Sequence, residues 1–263
     1  MELAPDIAAG LDAVVDRLGV DIVAMTSEER RRVEMSARAL LLQAADLLAD
    51  PGRPPGWAFD DPAVLLSTGR MSANIAGVIA QIAPPLDGLQ HALQRPGARF
   101  LDVGAGVAAL SIALCETWPG LHVVGLEPWA PAFALAEAHV ASSDVADRVE
   151  LRSVRIEDLH DLAAFDVAWL AGPFVPPAVI PAALERLYDA LKPGGWLLFG
   201  RFAGPQEPLA DAVTRLRVLR SGGSVADAEQ LGALMREAGL AEVHEVQRTW
   251  QAPVGFVVGR RAR

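Results

Sequence analysis

The 263-residue chain has one lysine (Lys192), one cysteine (Cys115) and one tyrosine (Tyr188). A single cysteine excludes an intrachain disulfide. Cys115 closes the apolar run Ser111-Ile112-Ala113-Leu114-Cys115, where a thiol reads as a small buried hydrophobe. Tyr188 reads as packing between helix and sheet. No basic run exceeds Arg30-Arg31-Arg32 and the net charge is −10, so the concentrated positive face of a nucleic-acid binder is not expected. No uninterrupted apolar stretch approaches the roughly 20 residues of a membrane span. The start, Met1-Glu2-Leu3-Ala4-Pro5-Asp6, lacks the basic and apolar pattern of a secretory signal. The expectation is a cytoplasmic protein with neither nucleic acid nor membrane as partner. No His, Asp or Glu pair has clear metal-ligand spacing, so no metal is expected.

What is abundant is apolar. At 52% hydrophobic and 21% charged, the chain can bury a sizeable core. Residues 1–97 read as helices joined by proline-rich turns: a capping box at Thr26-x-x-Glu29, helical spacing from Val33 to Leu48, a break at Asp50–Gly56, and helices near 72–83 and 86–93. From Ala98 the pattern becomes short apolar runs alternating with amphipathic segments, the mark of a parallel α/β sheet. Strands are expected near 99–103, 121–126, 148–152, 165–170, 195–200, 241–247 and 253–259. Helices are expected near 107–117, 131–142, 178–191 and 225–238, with a partly helical insertion over 201–224. The last two strands form a terminal hairpin.

Phe100–Leu110 is the most informative stretch: an apolar strand, a glycine turn, then the first turns of a helix. Gly104 and Gly106 let backbone approach a ligand closely, and the helix start aims unpaired N–H groups at the same point. Gly104-x-Gly106-x-x-Ala109 also fits a loose dinucleotide fingerprint, with Glu127 about 20 residues on. That alternative is an NAD(P)-dependent oxidoreductase. Asp102, two residues before the first glycine, would repel a pyrophosphate and suits a ligand with a positive amino group. A parallel sheet ending in a hairpin also differs from two symmetrical mononucleotide halves.

On these residues, region 98–263 resembles the class I S-adenosylmethionine-dependent methyltransferases. The resemblance implies a doubly wound, seven-stranded Rossmann-like sheet with a terminal antiparallel hairpin behind a helical cover. It implies S-adenosylmethionine as cofactor and S-adenosylhomocysteine as product. Asp102-Val103-Gly104-Ala105-Gly106 matches the first motif, where the glycines and Ala105 line the methionine part and the acid holds its amino group. Val123-Val124-Gly125-Leu126-Glu127 matches the second, with Glu127 accepting both ribose hydroxyls. Trp129 would lie on the adenine ring, Ile156 would contact it through backbone, and Glu157 would accept from its exocyclic amine, with Asp158 the competing choice. Leu170, on the fourth strand, completes the set. Leu191-Lys192-Pro193-Gly194-Gly195 resembles the family's turn before strand five and is expected to carry no chemistry.

The methyl acceptor is expected beyond the fourth strand, at Ala171-Gly172-Pro173-Phe174. Some amine-methylating relatives have Asp or Asn before the prolines; this chain has none there, and Phe174, Val175, Pro176 and Pro177 make an apolar wall. A small or medium organic acceptor is expected, such as a bacterial specialised metabolite, with oxygen favoured over nitrogen. The competing reading is a non-catalytic S-adenosylmethionine-binding protein. No histidine stands out as a base. Ser67–Asn74 reads as a polar turn before an apolar helix, from which Arg70 would pair with the methionine carboxylate. The N-terminal helices are the expected homodimer surface.

Overall fold

In the computed structural model, the described residues are 24–27, 30, 41–204, 208–250 and 254–263. Seven strands form one sheet: β1 (Ala98–Val103), β2 (Leu121–Leu126), β3 (Val149–Arg152), β4 (Phe165–Ala171), β5 (Leu191–Phe202), β6 (Ala241–Val246) and β7 (Val254–Arg260). Their spatial order is β3-β2-β1-β4-β5-β7-β6. The first five are parallel, and β7 runs antiparallel between β5 and β6. β1, β2 and β4 are buried almost throughout, which explains their continuous apolar sequences. Edge strand β6 is largely exposed and carries Glu242, His244 and Glu245, charge that discourages further strand pairing.

Helices cover both faces. α1 (Pro62–Ile82), α2 (Leu89–Gln94), α3 (Ala109–Thr117) and α4 (Ala130–Ala141) pack on the face that presents Phe100, Val123, Val167 and Trp169. α5 (Ile180–Ala190) and α7 (Ala228–Glu237) pack on the other, against Leu101, Val124, Leu170 and Val257. α6 (Pro208–Arg220) lies in the 201–224 insertion. A further helical segment covers 41–49. Glu29 of the expected capping box, and part of the expected dimer surface, lie outside the described residues.

α1 corrects the expectation of a polar turn at Ser67–Asn74. The helix starts ten residues earlier than expected, at Pro62, behind Asp61, whose Oδ1 accepts the Ala63 N–H at 2.7 Å. Proline at the first helical position behind an aspartate cap is a sound start signal. Thr68 Oγ1 donates to the Val64 carbonyl at 2.9 Å and Ser72 Oγ to that of Gly69 at 2.6 Å. The hydroxyls that looked like a turn are therefore satisfied within the helix. Gly69 is required by packing: an added Cβ would overlap Val107 Cγ2 of the glycine turn. By length and composition α1 could cross a membrane. Its Ile75, Ile79 and Ile82 instead fill the core.

The Lys192–Gly195 turn is a bulge within β5. Leu191 pairs with Phe165 and Trp196 with Val167, the intervening residues being looped out with Gly194 at φ 81°. At the N-terminal end of the sheet, Asp166 accepts from Lys192 Nζ (2.8 Å), Arg95 (2.6 Å) and the Arg99 N–H (2.8 Å). Burial opposes the charge, but these donors outweigh it and hold the Asp166 carboxyl below its ordinary range. Cys115 is buried, and desolvation pushes its thiol up to about 11, as expected of an inert core thiol.

Candidate cofactor and acceptor site

The strand order sets β1 between β2 and β4, so the loops after these three strands converge. Crevices at such points bind ligands in open α/β sheets. Gly104 (φ 75°) and Gly106 (φ 59°) take the left-handed conformation that favours glycine. A Cβ on either would meet nothing within 4 Å, so both face open space. Gly104 and Ala105 donate their N–H groups to the Leu126 carbonyl, each at 2.9 Å, which lashes the turn to the end of β2. Ala108, entering α3, also has a positive φ of 60°. For alanine this strain is of order 1–2 kcal/mol.

Glu127 is the pivot of the site. One carboxylate oxygen accepts the Gly106 N–H at 2.8 Å and the other the Trp129 N–H at 2.8 Å. A carboxylate has about four acceptor positions. Two are used by the fold, leaving one on each oxygen for a pair of neighbouring hydroxyls. Burial pushes the Glu127 carboxyl upward, and the two N–H groups pull it back in part.

Asp102 lies under the turn and is 1% exposed. Its Oδ2 accepts the Ser111 hydroxyl at 2.7 Å. Desolvation raises its carboxyl to about 6 against the Ser111 hydrogen bond, with the Glu127 charge adding to the rise. Ser111, read from the sequence only as part of an apolar helix, sits on α3 one helical turn past the glycines, where a hydroxyl opposite the motif acid is the available signal.

The other expected residues spread around this centre. Ile156 is buried and Glu157 half-buried in a short 3-10 turn after β3. Asp158 is exposed. Leu170 has its side chain in the core on the α5 face and is paired between Val103 of β1 and Phe199 of β5, so its side chain is not presented to a ligand. Trp129 is half-buried, and its indole Nε1 donates to the Phe59 carbonyl at 2.8 Å. Its ring packs in a small cluster with Trp57, Leu65 and Val107. Arg70 is exposed on α1, next to the Gly69 that touches the turn. His139 Nδ1 lies 2.9 Å from the Val107 carbonyl, and this contact fixes the turn. His91 is on α2, which leads into the start of β1 at the opposite end of the sheet.

Two residues the sequence reading missed, Trp57 and Phe59, close the crevice. The Trp57 ring meets Phe59 at 5.3 Å and Phe174 at 5.6 Å, both edge-on. With Phe59 tied to Trp129 after β2 and Phe174 after β4, segment 57–59 spans the loops that flank the glycine turn. The insertion locks this strap: Gly56 N–H donates to the Arg220 carbonyl at 3.1 Å, and Ser224 N–H to that of Gly172 at 3.0 Å. Arg220 also pairs with Asp46 at 3.1 Å and donates to the Arg53 and Asp50 carbonyls, each at 2.7 Å. Aromatics in a loop between Pro54-Pro55-Gly56 and Asp60-Asp61-Pro62 were the signal that could have found them.

Residues 100–195 match a family described as a methyltransferase domain. A carboxy-S-adenosyl-L-methionine synthase from Aeromonas salmonicida is 25% identical over 166 residues, 62% of this chain and 67% of that protein. Among solved structures, the S-adenosylmethionine-dependent methyltransferase SibL in its apo form superposes with a TM-score of 0.60 at 23% identity, over 76% of this chain and 57% of its own. An O-methyltransferase family protein from Burkholderia thailandensis gives a TM-score of 0.58 at 16% identity, over 77% and 60%. The chain thus spans under two thirds of either solved structure.

Proposed function

The chain carries a class I S-adenosylmethionine-dependent methyltransferase domain, and we propose that it moves a methyl group from that cofactor to a small organic acceptor, with oxygen as the target atom. The observation that carries the reading is Glu127. Held by the Gly106 and Trp129 N–H groups, it keeps one acceptor position per oxygen for the two ribose hydroxyls. The open space over Gly104 and Gly106 accommodates the methionine part, a fit that any side chain there would spoil. Asp102 places negative charge beneath the site of the amino group. In this reading Ile156 and Glu157 would border the adenine with Trp129 at its flank, and Arg70 of α1 would pair with the carboxylate.

When bound, the cofactor supplies an electrophilic methyl on a sulfonium. What the protein adds is alignment, and positioning of this kind can contribute about 7–11 kcal/mol. The strap of residues 57–59 and the 220–224 turn shape the acceptor side. Oxygen is favoured because Ala171-Gly172-Pro173-Phe174 offers no carboxylate or side-chain amide to receive an amine. Glu127, the glycine turn and the acceptor-side segments would hold that methyl in line with the acceptor oxygen, so that the methyl–sulfur electron pair would remain on sulfur and the hydroxyl proton would leave to solvent.

The test is incubation with methyl-labelled S-adenosylmethionine and paired hydroxyl and amine acceptors, analysed by mass spectrometry. Label on a hydroxyl compound supports the reading. Label confined to amines overturns the oxygen preference, and cofactor binding without transfer to any acceptor favours the non-catalytic alternative.

A further inference from the structure

The acceptor side of the crevice is built from three segments: 54–59, 172–179 and 221–226. Read together, Pro-Pro-Gly-Trp-Ala-Phe, Gly-Pro-Phe-Val-Pro-Pro-Ala-Val and Ser-Gly-Gly-Ser-Val-Ala contain no ionisable side chain. Of the ionisable residues that flank them, Arg53 and Arg220 both pair with Asp46, Asp227 caps α7 and Asp60 is exposed. The segments also press on one another. A Cβ on Gly223 would overlap the Pro173 carbonyl, and one on Gly222 would come within 3.1 Å of Gly56 backbone. Such contacts fix the position of Phe174, whose ring is nevertheless 48% exposed. Trp57 stands edge-on to it at 5.6 Å and is itself half-buried.

A half-exposed phenylalanine held by rigid backbone and braced edge-on by a tryptophan is an apolar aromatic corner, and the three segments that form it carry no ionisable side chain. Burying an ionised group here would leave it without a partner, at a heavy penalty. From this juxtaposition we infer that the methyl acceptor is an uncharged planar aromatic hydroxy compound, seated against Phe174 and Trp57. This rests on the methyltransferase reading and adds to it the class of acceptor and two residues that select for it. Trp57 and Phe174 are binding residues in this account. They recognise the ring and leave the methyl transfer to geometry.

Each favourable ring–ring contact contributes about 2- to 12-fold in affinity beyond area burial. The test uses the full chain saturated with S-adenosylhomocysteine and three probes of one carbon skeleton: 1-naphthol, its saturated analogue 1-decalol, and the anion 1-naphthoate. Calorimetry should give 1-naphthol at least about fivefold tighter binding than either other probe. Phe174→Ala and Trp57→Ala should each erase that preference, and Trp57→Phe should restore most of it. Retained S-adenosylhomocysteine affinity shows that the variants are folded. Equal affinity for 1-naphthol and 1-decalol, or tighter binding of 1-naphthoate, overturns the inference while leaving the cofactor assignment intact. Failure of the wild-type chain to bind S-adenosylhomocysteine overturns the methyltransferase reading itself.

Discussion

Glu127 Oε2 accepts the backbone N–H of Gly106 at 2.8 Å, so the acid at the end of β2 and the glycine turn at the end of β1 form one unit. Glu127→Gln should break this unit. An amide presents one oxygen and one NH2 group, so a donor must face either the Gly106 or the Trp129 N–H. A buried donor left without an acceptor costs about 1–3 kcal/mol. The variant should lose that much stability in urea, and its S-adenosylhomocysteine affinity should fall at least about tenfold by calorimetry.

Asp102 predicts an unusual pH dependence. Its carboxyl lies at about 6 in the fold against an ordinary 3.8, so the native state holds the proton more tightly than the unfolded chain. Its contribution favours folding most below pH ~4, declines as pH rises towards ~6, and is flat above. The span corresponds to roughly 3 kcal/mol at most. Asp102→Asn removes the slope. Urea midpoints from pH 4 to 7 should show wild type losing stability relative to the variant as pH rises.

At the other end of the sheet the sign reverses. The Asp166 carboxyl is held low by Lys192, the Arg99 N–H and Arg95, so its contribution is present above the unfolded carboxylate range and disappears as pH falls through the folded value. Lys192→Met removes one charged hydrogen bond and should destabilise by about 1–2 kcal/mol at neutral pH. S-adenosylhomocysteine affinity should not change, since this cluster lies at the opposite end of the sheet.

Gly69→Ala connects the cover to the cofactor. The new methyl overlaps Val107 Cγ2, and a valine has few rotamers with which to yield. Overpacking of this kind costs about 1–3 kcal/mol. Because Val107 follows Gly106 directly, cofactor affinity should fall together with the melting temperature. An equal change at Gly77, exposed in the same helix where a Cβ meets nothing within 4 Å, should leave cofactor affinity unchanged and raise the melting temperature slightly.

The sheet was legible because its strands are continuous apolar runs punctuated by glycine and proline, a pattern that tertiary context seldom overrides. The motif residues Asp102, Gly104, Gly106 and Glu127 were legible for a similar reason: local backbone geometry dictates their types. α1 was misread because serine, threonine and glycine at 67–72 look like a turn until their hydroxyls find carbonyls inside the helix. Trp57 and Phe59 escaped notice because their role arises only when a loop some 115 residues from Phe174 folds against it. The proline-bounded loop marks these aromatics locally, but their partner is set only by the fold.

The central claim is that the Gly104–Gly106 turn and Glu127 hold S-adenosylmethionine, and titration of the intact chain with S-adenosylhomocysteine and, separately, NADH tests it most directly. The account predicts saturable one-to-one binding of S-adenosylhomocysteine, loss of that binding in Glu127→Ala, and no heat with NADH. Binding of NADH in place of S-adenosylhomocysteine would contradict it.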